Sequence, residues 1–212
     1  MPTALIATLG FEEKFCYRAV LRHGIKDGDV IILFTAELVE KVERAFDWIK
    51  KLIQSSYGES VKVDLIQLDP MDPVKSIKRV LNVLDDLSDF RIIVNLSGGM
   101  RSIVVYVLLA CMMRIKEGMR IEIEAEDLSG VTELDPKMLI LIKEGAKEEW
   151  LHILRHIAEG KRDVKLLAEA MGKDESTVRR QLFTLKKYGL IEIKKRKPLV
   201  FEISPLADLL LS

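Results

Sequence analysis

The segment FRIIVNLSGGMR, residues 90–101, decides the fold of this chain. Its first half, Phe90–Asn95, is a short apolar run typical of a strand that is buried on both faces. The glycines at 98 and 99 mark a turn, and the residues after them are helical in pattern up to about Gly118. A buried strand, a glycine turn and a helix in this order predict one unit of a parallel α/β sheet.

The same alternation of strand and helix extends along the chain on both sides of this segment. Further strands are predicted at Thr3–Thr8, Asp29–Thr35, Val61–Leu68 and Met119–Ala125. Helical patterns separate them, at Phe11–His23, Leu38–Gln54 and Val74–Leu87. This order predicts a Rossmann-like, mostly parallel sheet with helices on both faces and right-handed crossovers. Glu126–Pro136 is expected to be a loop, and Lys137–Ile142 an added edge strand.

The last third of the chain has a different pattern. Two helices are predicted at Glu148–Glu159 and Val164–Met171, and a third begins near the capping residue Asp174 or Ser176. Two short strands then flank a run of four basic residues. This order is typical of a winged helix-turn-helix. The sequence therefore predicts two domains, residues 1–145 and 146–212.

The totals agree with a two-domain protein and exclude several classes. The net charge of zero divides into −4 over residues 1–145 and +4 over 146–212, which indicates a polyanion contact at one end. Cys16 and Cys111 form no disulfide or metal pattern. The longest apolar run, Ile103–Met113, is well short of the roughly 20 residues that cross a bilayer. We expect a soluble cytoplasmic protein without a membrane contact.

Two loops are expected to meet at one edge of the sheet. Ligands of open parallel sheets bind at the carboxyl ends of the strands, and Leu9-Gly10-Phe11 and Asn95–Arg101 both follow strands. Glycines, a helix N-terminus, the Ser97 hydroxyl and the Arg101 guanidinium together favour a phosphate or nucleotide. The alternative is a tight strand-to-helix turn in which Ser97 only caps the helix.

Several other sites are not indicated by the sequence. No Gly-x-Gly-x-x-Gly follows the first strand, there is no phosphate-binding loop of the NTPase type, and Ser97 is not in a Gly-x-Ser-x-Gly elbow. His152 and His156 have zinc-compatible spacing but no third ligand nearby. We expect neither a metal nor a cofactor.

The predicted helix that includes Ile103–Met113 is hydrophobic nearly all round, so it needs cover on two sides. The sheet covers one side. We expect a second copy of the chain to cover the other side, so the sequence favours a homodimer. An intramolecular lid is the alternative.

The third helix of the C-terminal domain has a polar outer face. Val178, Leu182 and Leu185 form its inward stripe. The residues expected to contact DNA are Ser176, Thr177, Arg179, Arg180, Thr184 and Lys187 on this helix and Lys194, Lys195, Arg196 and Lys197 at the tip of the hairpin. A solvated basic turn is the alternative for the hairpin, and Phe183 either packs on the partner domain or meets a thymine methyl group.

Together these features resemble a known family, the archaeal CRISPR-associated regulators that join a CARF (CRISPR-associated Rossmann fold) domain to a winged helix. The resemblance covers nearly the whole chain. It rests on Leu9-Gly10-Phe11 after the first strand, on Asn95–Arg101 after the fourth, and on the C-terminal winged helix, in this order and at this separation.

The resemblance implies a homodimer whose paired loops form one pocket for a cyclic oligoadenylate, commonly the tetra-adenylate ring. The residues implied to bind it are Leu9, Gly10, Phe11, Asn95, Ser97, Gly98, Gly99, Met100 and Arg101. The implied output is altered binding of double-stranded DNA at CRISPR-related promoters. Slow, metal-independent cleavage of the ring, with Arg101 near the scissile phosphate, is the enzymatic alternative, and sensing of another nucleotide is a third.

Overall fold

The computed structural model describes residues 1–116, 118–196 and 199–211. The chain forms two compact units, Met1–Pro136 and Lys137–Ser212. The boundary between them lies earlier than the predicted 145/146.

The first unit contains a six-stranded sheet in the order β3-β2-β1-β4-β5-β6. Its strands are β1 (Thr3–Thr8), β2 (Val30–Thr35), β3 (Lys62–Gln67), β4 (Arg91–Asn95), β5 (Arg120–Glu124) and β6 (Val131–Leu134). The pairs among the first five strands are parallel, and β6 is antiparallel to β5. The predicted Rossmann-like, mostly parallel fold is confirmed. The loop predicted over 126–136 is wrong at β6, because an exposed edge strand has no buried face to show in its sequence.

Four helices cover this sheet: α1 (Lys14–His23), α2 (Glu40–Tyr57), α3 (Pro73–Asp86) and α4 (Arg101–Met113). Leu5 and Leu33 pack in one core with the buried residues of α1 and α2. Because side chains alternate along a strand, Ala4 and Ile6 point to the other face of the sheet. Helix α4 contacts β1 and packs on α3. Helix α4 ends at Met113, earlier than Gly118, and the Nε of Arg114 just beyond it lies 2.7 Å from Asp85 Oδ1.

The second unit contains α5 (Pro136–Glu144), α6 (Glu148–Ala158), α7 (Val164–Met171), α8 (Glu175–Lys187), β7 (Ile191–Arg196), β8 (Leu199–Ile203) and α9 (Pro205–Leu211). The edge strand predicted at Lys137–Ile142 is wrong, since this segment is helix α5. A short apolar run does not distinguish a strand from a buried helix, and Pro136 is at the helix start, where proline is favoured. Leu141 and Trp150 belong to the core of the second unit, which explains the earlier boundary.

The α6–α7–α8 helices and the β7–β8 hairpin surround that core. Val178, Leu182 and Leu185 of α8 are fully buried in it, as their helical spacing predicts. In the described part of the chain, every helix is too short or too polar to span a lipid bilayer.

Candidate functional site

The strand order creates a crevice between β1 and β4. These strands are neighbours, but the chain leaves β1 toward β2 on one side and leaves β4 toward β5 on the other. At such a reversal the two connections lead to opposite sides, and ligands of open α/β sheets bind in the crevice at the carboxyl ends of the strands. The loops here are the two that the sequence singled out, at Leu9-Gly10-Phe11 and Asn95–Arg101.

The two loops touch through their backbones. The Thr8 hydroxyl donates a 2.5 Å hydrogen bond to the Gly98 carbonyl. A Cβ on Gly98 would lie 2.9 Å from the Thr8 carbonyl oxygen, which is closer than real contacts allow. Gly99 has a φ of +85°, a conformation that side chains disfavour. The glycine pair therefore permits one loop to pack on the other. The sequence predicted a role for these glycines only in binding a ligand.

A cavity of about 640 Å³ lies above these loops. It is lined by seven of the predicted ligand residues: Leu9, Gly10, Phe11, Ser97, Gly98, Gly99 and Met100. Phe11 and Met100 are largely exposed at its surface. Asn95 and Arg101 do not line it. Arg101 is exposed at the first residue of α4 and makes no ion pair with any described residue.

Sequence reasoning missed the parts of the cavity wall that follow β2, that start α1 and, at Glu126, that follow β5. The additional lining residues are Glu12, Lys14, Phe15, Thr35, Ala36, Glu37, Val39, Val42 and Glu126. The end of β2 adjoins the end of β1 in the sheet, with Phe34 opposite Thr8. An available signal was that every parallel strand contributes a loop to this edge, whereas the sequence interpretation followed only glycine-containing loops.

The charges of the wall are mainly negative. The lining contains the carboxylates of Glu12, Glu37 and Glu126, and its single lysine, Lys14, lies 2.6 Å from Glu12. A polyanion is therefore not neutralised inside this cavity. Positive charge is instead available beside it, at Arg101 and at the start of α4, which no described side chain caps.

Asn95 and Ser97 act beneath the turn. Asn95 is fully buried, its Nδ2 donates to Glu122 Oε1 at 2.9 Å, and its Oδ1 accepts from the Ser97 amide at 3.2 Å. The Ser97 Oγ accepts from the Glu124 amide at 2.7 Å. Ser97 thus does not cap α4, contrary to the alternative interpretation of this turn, because its hydroxyl is bonded to the adjacent strand β5.

Helix α8 in the second unit has the exposed polar face expected of a recognition helix. Asp174 caps it by accepting a 2.8 Å hydrogen bond from the Thr177 amide, and it also accepts from the Ser176 and Thr177 hydroxyls. The Ser176 and Thr177 hydroxyls therefore lie at the start of the helix, and each already donates a hydrogen bond to Asp174.

Further along α8, Arg180 and Lys187 are exposed and make no ion pair with any residue that the structure describes. Arg179 pairs with Glu175 one turn earlier at 3.3 Å, and the Thr184 hydroxyl donates to the Arg180 carbonyl at 3.0 Å. Phe183 lies between these polar residues with 52% of its surface exposed, so it does not pack in this unit's core.

The basic run on the hairpin is placed differently from the prediction. Lys194, Lys195 and Arg196 were expected at the hairpin tip, but they lie within strand β7, because the ladder with β8 continues until Arg196 is paired with Leu199. Lys197 lies outside the described residues. A register shift beside Lys194 marks a β-bulge, which changes the direction of side chains along the strand.

One cation of this run already has an ion-pair partner within the protein. The Lys194 ammonium pairs with Glu202 of β8, and Arg162 Nη1 contacts the same carboxylate at 3.0 Å. Lys195 and Arg196 are exposed and have no ion pair with a described residue. Among the described cations of this run, Lys195 and Arg196 are therefore the two without an ion pair.

Two protein families match the two parts of this chain. The family of the Csa3 CRISPR-associated Rossmann-like domain matches residues 3–135, and the ArsR family of bacterial regulatory proteins matches residues 150–192. A search of curated proteins gave no significant match.

Solved structures with the same fold include Enterococcus italicus Csm6 bound to cyclic hexa-2'-fluoro-hexa-dAMP, with a TM-score of 0.53 and 12% identity over 89% of this chain. This chain spans about half of that protein, 53% of its length. Protein VC1899 from Vibrio cholerae matches with a TM-score of 0.40 and 10% identity, over 99% of this chain and 64% of that one.

One family therefore matches the Rossmann-like sheet of the first unit, and another matches the helix-turn-helix of the second. The chain belongs to the family of the Csa3 CRISPR-associated Rossmann-like domain, and it joins that domain to a helix-turn-helix of the ArsR regulator type.

Proposed function

We propose that this protein is a CRISPR-associated transcription regulator that binds a cyclic oligoadenylate, the tetra-adenylate ring first, and responds by changing its affinity for DNA. The observation that supports this most directly is the cavity of about 640 Å³ at the β1/β4 switch point, lined by both glycine loops. Its size falls in the range of small-molecule sites, about 300–1,000 Å³. A structural relative, Csm6, was solved with a cyclic hexanucleotide bound.

The distribution of charge suggests how such a ring is held. The cavity wall is apolar and acidic, with Phe11, Phe15 and Met100 beside the carboxylates of Glu37 and Glu126, which suits the bases better than the phosphates. The phosphates would instead lie toward Arg101 and the uncapped amides at the start of α4.

A second copy of the chain completes this site in the proposal. Helix α4 exposes Val105 and Leu109 one turn apart, on the same face as Arg101, so this stripe along the helix is apolar beyond Arg101 and about half exposed among the described residues. An apolar stripe next to a ligand cavity favours an isologous contact, in which α4 packs on α4 of the partner. The two Arg101 residues would then approach the same symmetric ring.

The second unit supplies the output. Arg180 and Lys187 on α8, together with Lys195 and Arg196 on β7, present unshared positive charge of the kind that phosphate and guanine contacts require. The proposed coupling requires the ring to bind more tightly to one arrangement of the dimer than to another, since only differential affinity links two sites.

The test uses the full chain and two linked measurements. Isothermal titration calorimetry with cyclic tri-, tetra- and hexa-adenylate, and with ATP as a control nucleotide, measures ring binding. A mobility-shift assay with promoter DNA from the protein's own CRISPR locus is run with and without the best ligand. We expect one ring per dimer and a shift in DNA affinity. Absence of heat with every ring would overturn the proposal.

The same samples test the enzymatic alternative. Chromatography of labelled cyclic tetra-adenylate after long incubation with the protein is expected to recover the intact ring. Linear products would instead assign ring cleavage to this chain. Binding of ATP but of no ring would point to a regulator of a different nucleotide.

A further inference from the structure

Strand β5 buries two carboxylates in the interior of the first unit. Glu122 and Glu124 are only 4% and 2% exposed, and their i, i+2 spacing on a strand places both on the same face of the sheet. Burying an ionised carboxylate is costly unless it is paired and hydrogen-bonded, so two such residues beside each other need partners.

Helix α1 provides these partners. Arg22 Nη2 lies 2.7 Å from Glu122 Oε1 and its Nη1 lies 3.4 Å from Glu124 Oε2. His23 Nε2 lies 2.8 Å from Glu122 Oε2, and the Arg18 guanidinium pairs with Glu124. Two guanidinium groups thus balance two carboxylates, with Arg22 joining the pair.

The network continues from β5 to the glycine turn. Glu122 also accepts from the Asn95 amide group at 2.9 Å, and Asn95 in turn accepts from the Ser97 backbone N–H at 3.2 Å. By a second route, the Glu124 backbone N–H donates to the Ser97 hydroxyl at 2.7 Å. Ser97, the residue before the two glycines, is therefore held on its backbone and on its side chain by residues of this network.

The protonation state of Glu122 agrees with its place in the network. Burial alone raises the pKa of this carboxyl, but hydrogen bonds from His23, Arg22 and Asn95 outweigh burial and hold the pKa at about 2. Glu122 is an anion at neutral pH. As an anion it accepts from Asn95 and thereby determines which way the Asn95 amide group points.

We propose that Glu122 and Asn95 are positioning residues for the nucleotide site: the ion pairs between α1 and β5 fix the Asn95 amide, and Asn95 fixes Ser97 and the turn that lines the cavity. A polar chain is an uncommon way to fill this space, since apolar side chains of similar volume stabilise a core as well or better. What the polar chain adds is a defined position for one loop. This inference rests on the proposed function, because it assigns a role to the turn in ligand binding.

The experiment reverses one hydrogen bond. Glu122→Gln removes the anion, and Asn95→Asp places a second carboxylate against Glu122. In the double variant an Asp at 95 accepts from a Gln at 122, so the link is restored with its direction reversed. Asp85→Asn, which breaks the exposed Asp85–Arg114 ion pair of the same unit, is the matched control.

Two readouts are measured on the full-length protein. Hydrogen exchange of the segment 95–101 without ligand reports the order of the turn, and calorimetry with cyclic tetra-adenylate reports affinity. Each single variant is expected to speed exchange in this segment and to weaken ring binding about tenfold, the scale of a lost hydrogen bond to a charged group. The double variant is expected to recover most of both, and the control to change neither.

The outcomes separate the two proposals. If the wild-type chain binds no ring, the exchange data still test the positioning role, and only the proposed function fails. Unchanged exchange and affinity in Glu122→Gln would overturn the positioning role. So would a double variant no better than the two single ones while its melting temperature matches the wild type, because the loss would then not depend on the Asn95–Glu122 link.

Discussion

Gly10 and Gly99 lie against each other so closely that a Cβ on Gly10 would be 3.1 Å from both the Cα and the amide nitrogen of Gly99. They belong to loops that follow two different strands, β1 and β4, and their contact brings these loops together along one wall of the cavity. The site therefore depends on packing between two backbones. Any side chain placed in this contact should disturb the cavity and the fold together.

The first prediction concerns Gly98. In Gly98→Ala the new Cβ meets the Thr8 carbonyl oxygen at 2.9 Å, so the two loops must separate. We expect a loss of about 1–3 kcal/mol in the free energy of unfolding, the usual cost of overpacking, together with weaker ring binding. Urea denaturation and calorimetry measure the two effects. Gly130→Ala, where a Cβ meets nothing within 4 Å, is the control, and equal behaviour of the two variants would contradict the loop contact.

The second prediction concerns the dimer. Leu109 is 42% exposed on the α4 stripe, and an aspartate there would place a charge in the proposed interface. Leu109→Asp is expected to sediment as a monomer and to lose ring binding. Val74→Asp, which changes an apolar residue that is 77% exposed on α3, should remain dimeric. A Leu109→Asp protein that stays dimeric in analytical ultracentrifugation would place the interface elsewhere.

The third prediction separates the cations of the wing. The Lys195 ammonium has no ion pair with a described residue, whereas the Lys194 ammonium pairs with Glu202. Lys195→Ala should therefore weaken DNA binding for all sequences and reduce the salt dependence by about one phosphate contact. Lys194→Ala should change the DNA affinity and its salt dependence less. Mobility-shift titrations at several salt concentrations measure both slopes, and a larger effect of Lys194→Ala would show that its pairing breaks on DNA.

The fourth prediction concerns base recognition. Arg180 is exposed on α8 without an ion pair to any described residue, so its guanidinium is available for a bidentate contact with guanine. Arg180→Ala is expected to lose about 1–3 kcal/mol of discrimination at one position of the operator. Competition with operators mutated one base pair at a time gives this value. Arg179→Ala is the comparison, since Arg179 already pairs with Glu175, and uniform weakening by Arg180→Ala would assign this residue to phosphate instead.

The fifth prediction is a pH dependence. The pKa of Glu122 is lowered from 4.5 to about 2 in the folded chain. The anion therefore stabilises the fold at pH values above 4.5, and this contribution declines as the pH falls toward 2. We expect the free energy of unfolding to fall less steeply over this interval in Glu122→Gln than in the wild type. Parallel slopes in denaturant titrations across the interval would contradict the assignment.

Sequence and structure agree best where the deciding information is local. The buried runs of β1, β2 and β4, the glycine turn at 98–99 and the inward stripe of α8 were all predicted, because the period of the apolar residues and the chemistry of turns depend on neighbours along the chain. The strand predicted at Lys137–Ile142 is wrong because the local pattern is ambiguous there. Its apolar run has no period that distinguishes a strand from a helix.

By itself, the amino-acid sequence determined the alternation of strands and helices from β1 to β5, the Rossmann-like class of the first unit and the helix-turn-helix of the second. Only the tertiary structure decided that the loop after Thr35 joins the cavity wall, that Asn95 supports the turn from below and that Lys194 pairs with Glu202. The physical reason is the same in each case. These relationships join residues brought together by strand pairing and helix packing, and the order of strands in a sheet is not encoded in the periodicity of any one of them.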